Sequence, residues 1–288
     1  MKRFFFLCTL LFSLTLWATP TVTVSIIPQK YFVEQIAKKL VKVNVMVGAG
    51  ASPHTYEPKP MQMKMLATSD AYFSIGDSFE KAWLPRFKSS NPNMLMVDSI
   101  KGIEKIAMAE HHHEGEKAGH EEHDEHDGLD PHVWLDPMLV KIQAKNIFDA
   151  LCTLYPLHVK AFEQNYHEFL NSLDALDAMI NDTLKEVENR SFIVFHPSFG
   201  YFAARYHLEQ IPVEVSGKEV KPNELAMIIK EAKEEGAKVV FVSPQFSQKS
   251  AQIIAKEIGG KILTIDPLSE KWHENMLNIA KVFASELK

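Results

Sequence analysis

Two α/β lobes, each with a parallel four-stranded sheet flanked by helices and joined by a long rigid helix, is the fold class this sequence predicts. Three observations predict it: two successive series of short apolar strands, helical patterns between the strands, and one very long amphipathic segment at the join. The first series of strands is Thr21 to Ile27, Val43 to Val47, Ala71 to Ile75 and Met94 to Val97. Helical patterns lie between them near Tyr31 to Leu40, Pro60 to Thr68 and Phe79 to Leu84. The second series is Ser191 to Phe195, Pro212 to Val215, Val239 to Val242 and Ile262 to Ile265. Its helices are expected near Phe199 to His207, Pro222 to Glu235 and Gln248 to Ile258. Leu225, Ile228, Ile229 and Ala232 give the middle one a stripe at i, i+3, i+4 and i+7, the spacing of one helical face. Four apolar strands separated by helices, twice over, imply two parallel sheets with helices packed on their faces.

At the join, Val159, Phe162, Tyr166, Phe169, Leu173, Leu176, Ile180, Leu184 and Val187 follow one another at steps of three or four. A single helix over this stretch would run roughly 43 Å and act as a strut, at about 1.5 Å per residue. Two shorter helices are the alternative. The expected boundaries are a leader at 1–18, a first lobe at 19–154, the connecting helix at 155–190 and a second lobe at 191–288.

The leader has the form of a secretory signal. Lys2 and Arg3 precede an apolar stretch from Phe4 to Trp17, and the small residue Ala18 follows. The stretch is short for a membrane span, which needs about 20 apolar residues, so an uncleaved anchor is the lesser reading. Cleavage after Ala18 leaves Cys152 as the one cysteine, so export here does not imply a disulfide scaffold. The formal charge of -6 is unevenly placed, because Glu110 to Asp127 holds eight acidic residues and one lysine. The near-neutral remainder argues against a basic nucleic-acid surface.

Thirteen histidines carry the chemistry. His111, His112, His113, His120, His123 and His126 sit in the acidic run, which lacks apolar periodicity and is expected to be a disordered loop. Imidazoles among carboxylates suit weak capture of zinc, copper or nickel; a plain solvated insertion is the alternative. His158, His167, His207 and His273 occur singly on or beside helical patterns and are expected to be structural.

The other three differ in setting. His54 stands in Pro53-His54-Thr55-Tyr56-Glu57-Pro58, beyond the second strand. His132 stands in Asp130-Pro131-His132-Val133-Trp134-Leu135-Asp136-Pro137, just before a helix that Asp136 and Pro137 are suited to start. His196 stands in Phe195-His196-Pro197-Ser198-Phe199-Gly200, directly after the first strand of the second series, and Asp266 follows that series' last strand. Ligands of open α/β sheets bind beyond the carboxyl ends of strands, although an aspartate before proline also makes a plain turn.

Those four segments, with Gly50-Ala51-Ser52 ahead of the first and Leu268 after the last, resemble the zinc-binding solute-binding proteins of bacterial ABC importers, the ZnuA-like group. The resemblance covers nearly all of the chain after the leader. It implies a metal in the cleft between the lobes, with His54 and His132 as ligands from the first lobe and His196 and Asp266 from the second. It also implies that a histidine-rich acidic loop in the first lobe is typical, and that manganese-binding relatives carry a glutamate where His196 stands. Three imidazoles and a carboxylate suit tetrahedral zinc, whereas manganese prefers more oxygen.

The expected function is therefore high-affinity capture of Zn2+ in the periplasm by a monomer. Delivery to a membrane permease and its ATPase follows from the resemblance, with no nucleic acid involved. A manganese- or iron-binding relative is the alternative. A zinc hydrolase lacks support because no His-Glu-x-x-His helix occurs, with Glu57 the one speculative base. A surface adhesin would leave the histidine set unexplained.

Overall fold

The computed structural model of the chain describes residues 19–109, 128–214, 222–234, 236–246 and 248–287. The expected signal segment, 1–18, and the acidic histidine segment, 110–127, lie outside the described residues.

The first lobe runs β1 (Thr21–Ile26), α1 (Ile27–Ala37), β2 (Lys42–Val47), α2 (Pro60–Leu66), β3 (Ala71–Ser74), α3 (Ser78–Ser90) and β4 (Leu95–Asp98), and ends with α4 (Pro137–Leu154). After α5 (Val159–Leu184) the second lobe runs β5 (Ser191–Val194), α6 (Gly200–Tyr206), β6 (Glu209–Pro212), α7 (Pro222–Glu234), β7 (Val239–Val242), α8 (Lys249–Glu257), β8 (Lys261–Thr264) and α9 (Trp272–Glu286). Both sheets are parallel throughout and share one strand order, β2-β1-β3-β4 in the first and β6-β5-β7-β8 in the second. This is the doubly repeated parallel architecture that the alternating pattern predicts. The central strands β1, β3, β5 and β7 are apolar and buried because helices cover both faces.

Several elements depart from their expected positions for identifiable reasons. Helix α1 begins at Ile27, earlier than the Tyr31 expected, because Pro28 fits a first turn that needs no N–H donor. Gln29 Oε1 accepts from Ser25 N and Ile26 N, which closes the strand-to-helix corner. Helix α3 does not stop at Pro85 but continues to Ser90, held by buried Phe79 and Phe87 on one face. Strand β6 precedes the expected Pro212 to Val215, with Pro212 as its last residue on a sheet edge, where a missing donor is tolerated. Helix α9 has no counterpart in the sequence reading, although Trp272, Met276, Ile279, Ala280 and Phe283 form a buried helical stripe.

The long helix forms as one piece. Phe162, Phe169, Leu173, Leu176, Ile180 and Leu184 of α5 are buried, and the helix spans roughly 39 Å at about 1.5 Å per residue. It packs on α1 and α4 of the first lobe and on α9 of the second. The main apolar core is consequently continuous from one lobe to the other, while a second, smaller core lies under α7 and α8. Trp272 is the clearest bridge: its ring meets Phe32 edge-on at 5.0 Å and lies 5.9 Å from Tyr31. Trp272 Nε1 donates to Trp134 O at 2.9 Å, and Trp134 Nε1 donates to Pro267 O at 2.8 Å. Among the described residues no helix is long and apolar enough to cross a membrane.

Candidate metal centre

Three loops bring three histidines together, one past β2, one past β5 and one leading into α4. His54 lies in a single 3-10 turn, Pro53–Thr55, beyond β2, and its carbonyl accepts from Ser78 Oγ at 3.2 Å. His132 stands at the start of another such turn, Val133–Leu135, which leads into α4. There Asp136 caps the helix as expected, accepting from Met138 N at 2.7 Å. His196 follows β5, where Ser198 N donates to His196 O at 2.7 Å and tightens the turn. One ring nitrogen from each of the three lies within 4.8 Å of the other two, and the Nε2 atoms of His54 and His196 are 2.9 Å apart. A tetrahedral zinc with bonds of about 2.0–2.1 Å places its nitrogen ligands roughly 3.4 Å from one another, so small ring movements would seat the ion.

Each imidazole is backed by a carboxylate on its far side. Asp130 Oδ1 is 2.6 Å from His132 Nδ1 and also accepts from His132 N at 2.8 Å. Glu214 Oε2 is 2.6 Å from His196 Nδ1. Asp77 Oδ2 is 3.1 Å from His54 Nδ1, an ion-pair contact outside good hydrogen-bond alignment. A carboxylate at Nδ1 keeps the proton on that nitrogen and turns the Nε2 lone pair toward the centre, which is the arrangement of a metal-ligating histidine.

The three carboxylates were not singled out as functional by sequence reasoning. Asp130 lies in the His132 segment, and Asp77 and Glu214 lie just past β3 and β6. A search of strand carboxyl ends for acids, rather than for histidines alone, would have found the last two.

The environments of the rings differ. Burial lowers the pKa of His196 to about 4, against the opposing pull of Glu214, so its ring is neutral at physiological pH. For His54 burial acts in the same direction, but the close contact and charge of Asp77, aided by Glu214 and Asp130, outweigh it and the pKa is raised. Asp77 is held below the usual carboxylate range: burial opposes this, but His54 outweighs it. Phe246 stacks on the His196 ring at 4.3 Å and 21°, restricting its rotation. A cleft cavity of about 1090 Å³, bordered by His54, Asp77, Lys105, His196 and Gln245, opens from the group to solvent.

Asp266 is not brought into this group. Its Oδ1 accepts from Gln245 Nε2 at 2.8 Å and from Leu268 N at 3.0 Å, and it borders a separate cavity of about 250 Å³. Glu57 is exposed. His158, His167, His207 and His273 stay apart from the group. His207 serves the fold, adopting a left-handed conformation (φ 57) where α6 ends. The six histidines between 111 and 126 fall outside the described residues.

Comparison with known proteins agrees with this architecture. The family model described as "ZnuA: Zinc-uptake complex component A periplasmic" matches residues 22–285. The high-affinity zinc uptake system protein ZnuA of Bacillus subtilis is 29% identical over 267 residues, which are 90% of this chain and 83% of that protein. A crystal structure of ZnuA superimposes with a TM-score of 0.86 at 40% identity, covering 94% of this chain and 100% of the other. A zinc-bound deletion mutant of ZnuA superimposes with a TM-score of 0.85, also at 40% identity, covering 94% of this chain and 99% of the other. With that match spanning both lobes and all three histidine loops, the chain belongs to the zinc-uptake complex component A (ZnuA) family.

Proposed function

We propose that this chain captures zinc outside the cytoplasm and hands it to a membrane transporter of the ABC class. The observation that carries this reading is the set of three imidazoles whose Nδ1 atoms face Asp77, Asp130 and Glu214 and whose Nε2 atoms converge. Nitrogen donors of this kind favour zinc over manganese, which prefers oxygen. His54 and His132 from the first lobe and His196 from the second are the ligands in this reading, so the ion ties the two lobes together. Asp266 enters the shell only if its bonds to Gln245 and Leu268 are given up.

The ion is cargo, and the site has the features of a carrier. The ligands are neutral, so charge balance comes from carboxylates one bond further out. The open cleft gives a path for entry and exit. Because α5 and the shared core brace the back of the molecule, release proceeds through movement of the ligand loops and a modest tilt of the lobes. The mature protein acts as a monomer after removal of residues 1–18, and the partner permease is driven by its own ATPase. The segment 110–127 acts as a weak auxiliary collector through His111, His112, His113, His120, His123 and His126.

The test is zinc titration of the purified mature protein in competition with a chromophoric chelator. One tight zinc per chain is expected, weakened at least about 100-fold in His196→Ala, since a buried ligand is lost. Tight binding that survives His54→Ala, His132→Ala and His196→Ala alike would remove this reading.

A further inference from the structure

Gln245 occupies a position that neither the zinc reading nor the family match explains. It follows β7 in the turn Ser243-Pro244-Gln245-Phe246, at the carboxyl edge of the second sheet. Its side chain borders three separate spaces. One is the open cleft. The second is a partly open space of about 10 Å³, the size of a single small atom or water, bordered by His54, His132 and His196 together with Trp134, Phe246 and Leu268. The third is the cavity on the far side, where Asp266 lies. Gln245 therefore borders both the space beside the imidazoles and the cavity that holds Asp266.

Its two ends are unequally satisfied. Nε2 donates to Asp266 Oδ1 at 2.8 Å, whereas Oε1 is buried and has no hydrogen-bond partner among the described residues. A buried acceptor left in that condition is destabilising until something donates to it or coordinates it. A cation, or one water bound to it, would satisfy that oxygen. Asp266 is differently placed: Oδ1 is shared by Gln245 Nε2 and Leu268 N, and its carbonyl accepts from Asn275 Nδ2 at 2.8 Å. Pro267, next in the chain, is fixed by Trp134 Nε1. The aspartate is thus tied into its own turn, behind the glutamine.

From this geometry we propose that Gln245, not Asp266, sets the fourth coordination position of the ion. Its Oε1 faces that position, bonding the metal directly or through a single water, and its Nε2 holds Asp266 outside the shell. The proposal rests on the zinc reading above. Its chemical content is that all donors are neutral. An anionic oxygen in the fourth position would strengthen binding and make manganese a better competitor, so the glutamine favours zinc and allows its release.

The experiment measures zinc and manganese affinity of the mature protein, as the metals alone, in wild type, Asp266→Asn, Gln245→Glu and the double variant Gln245→Met/Asp266→Asn. His196→Ala is the control on the underlying site. The double variant is used because Gln245→Met alone would free Asp266 to move inward. Asp266→Asn should bind zinc within about threefold of wild type, as expected for a residue outside the shell. The double variant should be weaker by about tenfold or more. Gln245→Glu, nearly equal in shape and so safe for folding, should raise manganese affinity relative to zinc by about tenfold.

A loss beyond tenfold in Asp266→Asn alone overturns the proposal. So does a double variant within threefold of wild type, an unchanged metal preference in Gln245→Glu, or a zinc-loaded crystal structure with Asp266 bonded to the ion. Failure of the underlying zinc reading would look different, since His196→Ala would then bind zinc as wild type does.

Discussion

Removing the charge behind His196 should weaken zinc binding without touching any ligand. Glu214 Oε2 lies 2.6 Å from His196 Nδ1, and both side chains are almost wholly buried. A hydrogen bond to a charged group contributes about 1.5–3 kcal/mol, roughly twice a neutral one. Glu214→Gln keeps an acceptor for the Nδ1 proton but deletes the charge, so about half of that contribution is lost. That is about 0.8–1.5 kcal/mol, or a Kd roughly four- to twelvefold weaker. Glu214→Ala also leaves the Nδ1 proton unpaired and the ring less well oriented, and the expected loss approaches 100-fold.

Proton competition cannot mimic this result. Burial already keeps His196 near pKa 4, and Glu214 acts to raise that value, so deleting it leaves the ring neutral at pH 7.5. The assay is chelator competition at that pH, with the melting temperature of each metal-free variant recorded as a check on folding. If Glu214→Ala binds zinc within about threefold of wild type, the carboxylate does not prepare His196 for metal. The argument from paired rings and acids then fails.

Other outcomes can be checked in the same way. Because the pKa of His54 is raised, zinc must displace its proton, so affinity should climb with pH and level off above that raised value. Asp77→Asn removes the main support for the proton and should move this midpoint to lower pH, read from Kd measured across pH 5 to 8. A Cβ at Gly200 would lie 2.5 Å from Asp130 Oδ2, in a buried spot, so Gly200→Ala must displace the carboxylate that holds His132. About tenfold weaker zinc binding is expected in titration, with the helix itself tolerating alanine. Trp272→Phe keeps an aromatic ring against Phe32 but leaves Trp134 O without its donor, and should cost about 1–3 kcal/mol in denaturant unfolding.

The acidic histidine segment is inserted between two chain ends that already pair, since Met108 N donates to Gly128 O at 2.7 Å and Asp130 N to Ile106 O at 2.9 Å. Replacing residues 110–127 by a short Asn-Gly turn should therefore preserve the tight zinc site and remove weaker binding in calorimetry. Disappearance of the tight event would contradict the assignment.

The two-lobe fold was legible because its central strands are short apolar runs and its long helix keeps one apolar face from Phe162 to Leu184. The histidine loops were legible because strand ends with proline and histidine are distinctive. What escaped was set by contacts distant in sequence. Strand β6 lies at an edge, where exposed Glu209 breaks the apolar run, so the reading drifted toward the more apolar Val213. Helix α3 passes through Pro85 because tertiary burial of Phe79 and Phe87 outweighs a local breaker. Asp77 and Glu214 carry no local motif, and each finds its histidine only after the sheet has formed. Asp266 is a ligand only by the resemblance, and in the structure its carboxylate is bonded to Gln245 and Leu268. Gln245 has no signature in one dimension.

The Trp272 bridge also bears on how such a chain comes to be folded. The first lobe's residues Tyr31 and Phe32 are covered by an indole that lies near the other end of the polypeptide. A chain emerging from a ribosome N-terminus first can pair β1 with β2 and β3 early, yet it cannot complete the cover over Tyr31 and Phe32 until α9 has been made. Contacts of such wide sequence separation slow folding, because loop closure must precede the contacts that offset its entropy. Until α9 is made, Tyr31 and Phe32 lack the ring that covers them, so the first lobe gains this part of its core only after the second lobe's strands have been made. The indole that braces the finished molecule thus also sets the moment at which the molecule can finish.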